Sequence, residues 1–383
     1  MVLRDSIRQR PVVRILVDYR PALRERTGVG EYVHQAATAL VATAPPGESL
    51  VLFSASWKDR LQPGNVPGAS VVDRRVPVRL LNRLWHRLEW PPVERFAGPV
   101  DVAQSAHPLL IPTRHAVQLV TVHDLDFLDH PERTQGEIRR DYPALAPAHV
   151  RRADRVIVVS EHTAGEVERR FDVPRSRMSI CPPGVPPWPF REHEPVSDGC
   201  VLFLGTLEPR KNVGTLLSAY EHLLTRRPDA PPLVLAGRIT PEAEPVIRRT
   251  LVAPLAGRVD VLGYVAPERR LELYQRALVF VLPSHTEGFG MPAAEAMMTG
   301  VPVIAANRGA LPQTVGTAGR LIDHTSVEAL SQALEEILAD RALRDRMRAA
   351  GRRHAEQFTW TRTATALREA WHLAIDERAR RHG

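Results

Sequence analysis

Residues 278–302 read LVFVLPSHTEGFGMPAAEAMMTGVP, and the order of features in them decides the fold class. The apolar run 278–283 has the length and composition of a strand buried on both faces. A polar loop carrying Gly288 and Gly290 follows, and a helix then opens at Met291-Pro292, where proline suits the first turn. Gly300 and Pro302 mark its end. The same succession of strand, loop and helix recurs outward in both directions. In the second half, strands are expected at 201–205, 232–236, 258–262 and 301–306, with helical segments between them. In the first half the apolar run 12–17 leads to a loop at Thr27-Gly28-Val29-Gly30 and a helix from Glu31 to about Ala42. Further strands are expected there at 49–53, 100–105, 116–122 and 155–159. Alternation of this kind, without hairpin turns, predicts an α/β protein with parallel, doubly wound sheets.

The two series are separated by residues 181–199, CPPGVPPWPFREHEPVSDG, which are rich in proline and lack apolar periodicity. A chain of 383 residues fits two domains at roughly 150 residues each. The expected units are an N-terminal Rossmann-like domain over 1–190, a second over 191–358, and a C-terminal helix over 359–383. After Arg320-Leu321-Ile322-Asp323 the pattern is purely helical, at 327–338, 342–353 and from 361 onward, and the last helix is expected to cross back onto the first domain. Ligands of open α/β sheets bind at the carboxyl ends of the strands, so two such domains facing each other create a cleft.

Hydrophobic residues make up 44% and charged residues 25%, which describes a folded globular chain. No apolar run reaches the roughly 18 residues of a membrane span, and the N-terminal stretch lacks the apolar segment and cleavage site of a secretory signal. A cytoplasmic protein is expected. Cys181 and Cys200 are the two cysteines, and neither CxxC nor HExxH spacing occurs, so no protein-bound metal is expected. The 51 basic residues exceed the 44 acidic ones, giving a net charge of +7. No zinc-finger spacing, RNP-type aromatic pair or arginine-rich tail accompanies that charge, which sets nucleic acid aside as a partner. Only Lys58 and Lys211 are lysines, so the position of Lys211 is informative.

Backbone N–H groups around Gly288–Gly290, at the positive end of the following helix, form a seat for a phosphate. Glu287 and Glu295, seven residues apart, flank that seat. A carboxylate accepts two hydrogen bonds from a vicinal diol, so the pair points to a sugar nucleotide clamped at both ends. A glycine-capped helix with a glutamate in its early turns is the plain structural reading; the coincidence of loop, glycines and both carboxylates favours the ligand. The second motif is Gly205-Thr206-Leu207-Glu208-Pro209-Arg210-Lys211-Asn212, where the first strand of the second domain meets its first helix. Arg210 and Lys211 offer a guanidinium fork and a point charge to a diphosphate. Asn212 is expected to cap the helix.

GTLEPRKN, LGYV at 262–265 and PSHTEGFGMPAAEAMMTGVPVIAA at 283–306 closely resemble the donor domain of glycosyltransferase family 4, retaining enzymes of the GT-B fold. The resemblance extends more weakly through TGVGEYV, VHDLDFLDHPE, ADRVIVVSEHTAGE and CPPGV, covering nearly the whole chain. It implies that His123 and Asp124, which align with an HD motif, and Glu287 stand at the reacting sugar. It also implies a donor-binding set of Gly28, Gly30, Gly205, Arg210, Lys211, Gly263, Tyr264, Val265, Gly288, Phe289, Gly290, Met291 and Glu295. Within that set Glu295 holds the ribose, Arg210 and Lys211 neutralise the leaving diphosphate, and 263–265 border the base. Gly28 and Gly30 would let backbone approach the transferred group or the β-phosphate. A lone histidine after an apolar strand is more often structural; Asp124 beside it and a cleft opposite favour function for His123. Two positions depart from the family pattern: Gln313 stands where many members carry Glu, and His285 where an apolar or aromatic residue is usual.

The implied reaction needs no metal and no cofactor beyond its nucleotide-sugar co-substrate. GTLEPRKN is common among mannosyl-transferring members, so the expected donor is GDP-mannose and the expected acceptor a glycan or lipid-linked glycan. A UDP-glucose or UDP-N-acetylhexosamine enzyme of the same family is the alternative, as is a non-catalytic sugar-nucleotide binder. A nicotinamide-dependent oxidoreductase is disfavoured because GxGxxG is absent after the first strand. One further segment, 79–90, places Leu80, Leu81, Leu84, Trp85 and Leu88 on one face beside Arg79, Arg83 and Arg87. A helix resting on an anionic membrane has this pattern, and so does a helix docked on its own domain.

Overall fold

The computed structural model describes residues 13–23, 26–133, 136–195 and 199–382. Val12 of the first expected strand, the N-terminal stretch read for a leader, positions 196–198 of the linker and Gly383 lie outside the described residues.

The first sheet is built from β1 (Val13–Asp18), β2 (Glu48–Ala55), β3 (Ser70–Arg74), β4 (Val102–Ser105), β5 (Val117–Val122), β6 (Arg155–Val158) and β7 (Met178–Ile180), in the order β3-β2-β1-β4-β5-β6-β7. The second contains β8 (Cys200–Leu204), β9 (Leu233–Ala236), β10 (Val259–Gly263), β11 (Ala277–Leu282), β12 (Val303–Ala306) and β13 (Arg320–Ile322), in the order β10-β9-β8-β11-β12-β13. Every pairing is parallel: Leu16 of β1 opposes Val51 and Ala103, and Phe280 of β11 opposes Leu202 and Val303. Each sheet reverses its winding beside its first strand, which places a crevice at the carboxyl ends of β1 and β4 and of β8 and β11.

The principal helices are α1 (Gly28–Ala42), α2 (Val78–Leu88), α3 (Gly136–Arg152), α4 (Glu161–Phe171), α5 (Val213–Arg226), α6 (Pro267–Arg276), α7 (Met291–Met298), α8 (Val327–Ala339), α9 (Arg341–Ala355) and α10 (Trp360–His382). As expected, α10 returns to the first sheet, where Trp371 donates its indole N–H to Gln104 at 2.7 Å and Arg368 is paired with Glu48 at 2.9 Å. Ile15, Leu40, Phe203, Phe280 and Trp371 belong to one apolar core running through both domains. The two chain crossings between domains lie side by side, with the Val185 N–H donating to the Phe358 carbonyl at 3.1 Å.

Two expectations about local structure are corrected. The helix after β1 begins at Gly28 rather than at Glu31, so Gly28 and Gly30 lie in its first turn. Asn212 stands at the N-terminal cap of α5, but its side chain accepts no N–H from that helix. Its amide instead donates to the carbonyls of Pro283, at 3.1 Å, and His324, at 2.7 Å, and so ties the basic turn to the end of β11. In α2, Leu81 and Trp85 are buried, Leu84 is half-buried, and Leu80 and Leu88 are exposed. The leucines that sequence spacing groups on one face are thus split between a docked face and an open one.

Candidate active site

A cavity of about 450 Å3 lies between the carboxyl edges of the two sheets. His123, Asp124 and Gly28 reach it from the first domain; Gly205, Arg210, Lys211, Tyr264, Val265, Glu287, Gly288, Phe289, Gly290, Met291 and Glu295 reach it from the second. Gly30 and Gly263 do not line it. A side chain at Gly30 would place its Cβ 2.5 Å from the Pro21 carbonyl oxygen, so glycine there serves the packing of α1 on the preceding turn. Gly263 accepts the Gly237 N–H at 2.7 Å and shapes the loop that carries Tyr264 and Val265.

Glu287 lies in the loop between β11 and α7, lines this cavity and is 6% exposed. Its Oε1 accepts hydrogen bonds from Lys211 Nζ at 2.6 Å and Ser284 Oγ at 2.7 Å, while Oε2 lies 3.4 Å from an Arg210 nitrogen. Burial alone would raise its pKa, but Lys211 and Arg210 outweigh that effect and hold the carboxyl below its ordinary range. Arg210 also donates to the Thr286 carbonyl at 3.0 Å, pairs with Glu208 at 2.9 Å and lies 3.9 Å from Asp124 across the cleft. The two cations expected to meet a diphosphate are therefore held together by Glu287.

Glu295, on α7, has the opposite electrostatics. It is buried, its Oε2 accepts the Tyr274 hydroxyl at 2.8 Å, and burial raises its pKa despite Arg270 nearby. Two carboxylates one helical segment apart thus carry pKa values pushed in opposite directions, the arrangement by which a site gives similar groups different tasks. Gly290 caps α7 at φ +93°, a conformation that favours glycine, and its carbonyl accepts the Ala293 N–H at 3.0 Å, while Pro292 has no N–H to offer.

His123 follows β5, with its ring 5.0 Å from that of Tyr32 in an edge-to-face contact. Burial pulls its pKa down to about 4, leaving a neutral imidazole near pH 7. Its Nε2 is buried and accepts or donates no hydrogen bond. The domains touch immediately above it: a Cβ at Gly288 would fall 1.8 Å from the His123 carbonyl oxygen, and the Thr163 hydroxyl is 3.3 Å from that oxygen and 3.4 Å from the Gly288 carbonyl. Gln313 also bridges the domains, accepting the Glu161 N–H at 3.2 Å, and His285 packs edge-on against His324 at 5.1 Å.

Sequence reasoning missed Thr27, Tyr32, Arg238 and Arg270, which line the cavity, and Tyr274, which holds Glu295. Thr27 and Tyr32 lie within TGVGEYV, whereas Arg238, Arg270 and Tyr274 belong to none of the quoted motifs and gain their relevance from packing between distant segments. Among the described residues, no three His, Cys, Asp or Glu side chains come together to hold a metal ion, and no helix is long and apolar enough to cross a membrane.

Residues 26–188 match the family described as Glycosyltransferase Family 4, and residues 186–354 that described as Glycosyl transferases group 1. The chain is 31% identical to O-antigen chain mannosyltransferase B of Escherichia coli over 69% of this chain and 72% of that protein. It is 28% identical to D-inositol 3-phosphate glycosyltransferase of Rhodococcus jostii, over 69% of this chain and 61% of the relative. It is also 28% identical to the serotype-specific mannosyltransferase WbdA of Escherichia coli, over 66% of this chain but only 32% of that longer protein. In fold it is similar to sucrose-phosphate synthase from Thermosynechococcus elongatus, with a TM-score of 0.77, 21% identity, and coverage of 95% of this chain and 100% of that one. A lipopolysaccharide glycosyltransferase, WaaG, gives a TM-score of 0.68 at 16% identity, covering 94% of this chain and 98% of that one.

Proposed function

The chain belongs to glycosyltransferase family 4, within the group 1 glycosyltransferases, and from that premise we propose that it moves mannose from GDP-mannose to a glycan or lipid-linked glycan, with retention and without a metal. The observation that carries this reading is the Glu287 cluster. A carboxylate held ionised beside Lys211 and Arg210 shares a cavity lined by both domains with a neutral histidine whose Nε2 is unpartnered. Glu287 and His123 Nε2 take hydroxyls of the donor sugar, and Glu295 takes the ribose diol. Arg210, Lys211 and the positive end of α7 face the diphosphate as it leaves, so charge developing on it meets fixed positive groups. The acceptor oxygen attacks from the face the diphosphate departs, and the departing phosphate oxygen takes its proton.

Mannose is supported by the names of two relatives, O-antigen chain mannosyltransferase B and WbdA. A lipid-linked acceptor presented at the cytoplasmic face of a membrane is supported by exposed Leu80, Leu88 and Trp90 beside exposed Arg79, Arg83 and Arg87. The test is a thermal-shift panel of GDP-mannose, GDP, UDP-glucose, UDP-N-acetylglucosamine, UDP and NAD, all with chelator present. A ligand that binds only the folded state at about 100 times its Kd stabilises by about 2.7 kcal/mol. A shift with GDP and GDP-mannose alone is expected. A shift with UDP compounds alone overturns the donor, and no shift with any of the six overturns the nucleotide-sugar assignment. Chelator-sensitive, divalent-restored transfer overturns the metal-free mechanism.

A further inference from the structure

The mechanism above assigns nothing to the side chains between the ribose-side carboxylate and the facing domain, yet three buried charges meet there. Arg270, on α6, donates to the Arg26 carbonyl of the first domain at 2.9 Å. One of its nitrogens lies 3.7 Å from Glu295 Oε1 and another 3.8 Å from Glu31 Oε2, on α1 of the first domain. The side chains of Arg270, Glu31 and Glu295 are 10%, 5% and 5% exposed, so water screens these charges weakly. Glu31 Oε1 accepts the Gln35 amide at 2.8 Å, whereas Oε2 is buried without a hydrogen bond. One guanidinium is therefore shared by two carboxylates from opposite domains, within ionic range of both and within hydrogen-bond range of neither.

This sharing is unstable toward a ligand at Glu295. Tyr274 already occupies Oε2 of that carboxylate, and Oε1 faces Arg270. Two hydroxyls donating to Glu295 would satisfy it and leave Arg270 to Glu31 alone. A guanidinium moving onto Oε2 by about 1 Å makes a charge-assisted hydrogen bond of ordinary length and pairs the orphaned oxygen. Glu31 sits one turn after Gly28 and next to Tyr32, both of which line the cavity, so that movement draws the first domain onto the donor.

We infer that Glu31 and Arg270 are positioning residues that couple occupancy of the nucleotide site to closure of the cleft. The inference rests on the reading that Glu295 receives the ribose, and its test separates the two. GDP and, in parallel, UDP are titrated calorimetrically into the wild type, Glu31→Gln, Glu295→Gln and the double variant, and small-angle scattering records the radius of gyration with and without nucleotide. Glu31 does not line the cavity but pairs with Arg270, which does, so its charge acts on Glu295 directly and the change in contraction, not affinity alone, reports the coupling. Coupling predicts a wild type that contracts on binding, a Glu31→Gln protein that binds about 5–10-fold more weakly and contracts less, and a double variant no weaker than Glu295→Gln alone. It also predicts a raised KM for acceptor with a smaller change in kcat. Contraction in Glu31→Gln equal to that of the wild type, whatever its affinity, overturns the coupling while leaving the function intact. Failure of the wild type to bind either nucleotide overturns both. Should Glu31→Gln not fold, Arg270→Lys keeps the buried cation but loses the fork; nucleotide affinity and contraction equal to wild type in that variant also overturn the inference.

Discussion

Lys211→Met removes one cation from the Glu287 cluster and keeps the length of the side chain. The Lys211 and Glu287 side chains are 10% and 7% exposed and meet at 2.6 Å, so solvent screening is slight. Breaking a buried pair by removing one partner costs about 3–5 kcal/mol. Arg210 at 3.4 Å and the Ser284 hydroxyl at 2.7 Å still serve Glu287, which puts the loss at the lower end, about 3 kcal/mol. For a unit of about 150–250 residues this lowers Tm by about 6–12 °C. The pH dependence has a definite sign. Without Lys211, the upward push of burial on Glu287 is opposed by Arg210 and Ser284 alone, and its folded-state pKa rises from its depressed wild-type position. The stabilisation that the depressed pKa supplies in the wild type is present above the unfolded value near 4.5 and is lost as pH falls below it, so the deficit of the variant shrinks as pH falls from about 7 to about 4. In a Glu287→Gln background the same lysine substitution should cost about 1 kcal/mol or less, giving a coupling of about 2 kcal/mol. Scanning calorimetry of the four proteins at both pH values measures all of this. A deficit below about 2 °C, a deficit independent of pH, or additive effects in the double variant would refute the electrostatic account of the cluster.

Glu295→Ala should weaken nucleotide binding by about tenfold or more, while Glu287→Gln keeps nucleotide affinity within about threefold and lowers transfer by about 10²–10³. Equal losses of free-nucleotide affinity, measured by calorimetry, would contradict that division of roles. Gly288→Ala places a methyl carbon 1.8 Å from the His123 carbonyl oxygen, so the domains must part there. Transfer should fall at least about tenfold with nucleotide binding retained, and an unchanged initial rate would show that this contact does not set the geometry of the cleft. Asp18 is fully buried; burial opposes its charge, but Arg20 at 2.7 Å and His107 at 3.4 Å outweigh it and depress its pKa. Its stabilisation is therefore present above the unfolded value near 4 and lost as pH falls below it. Asp18→Asn should cost about 3 kcal/mol near neutrality, with the gap to wild type narrowing steadily below about pH 4 in acid unfolding; a gap constant down to about pH 2 would count against the assignment.

The central strands were legible because burial on both faces leaves continuous apolar runs, as in 201–205 and 278–283. The edge strands β3 and β7 were not, because Val71, Val72, Ser179 and Ile180 are only half-buried, which blunts any periodicity. Pro143 and Pro147 stand inside α3, where proline in a sequence reads as a stop. The Glu287 and Glu295 pair was legible because loop, cap and carboxylates are consecutive. Lys211 gained weight from the rarity of lysine, although its contact with Glu287 spans 76 positions and has no local signature. Glu31 and Arg270 illustrate what stays hidden, since each looks like a routine helix charge until α6 is packed against the start of α1. Gly30 shows the converse, a glycine whose motif context points to a ligand and whose neighbour is the carbonyl of Pro21.

The return of α10 to the first sheet also imposes an order on biosynthesis. A polypeptide emerges from the ribosome N-terminus first, and domains generally fold as they appear. The strands of the second sheet all lie between Cys200 and Ile322, so that sheet can assemble from one contiguous stretch. The first sheet is translated earlier, yet Gln104, Arg155 and Glu48 wait for Trp371, Glu377 and Arg368. The half made first is thus the half completed last, and until α10 arrives its apolar surface depends on whatever the cell supplies to shield it.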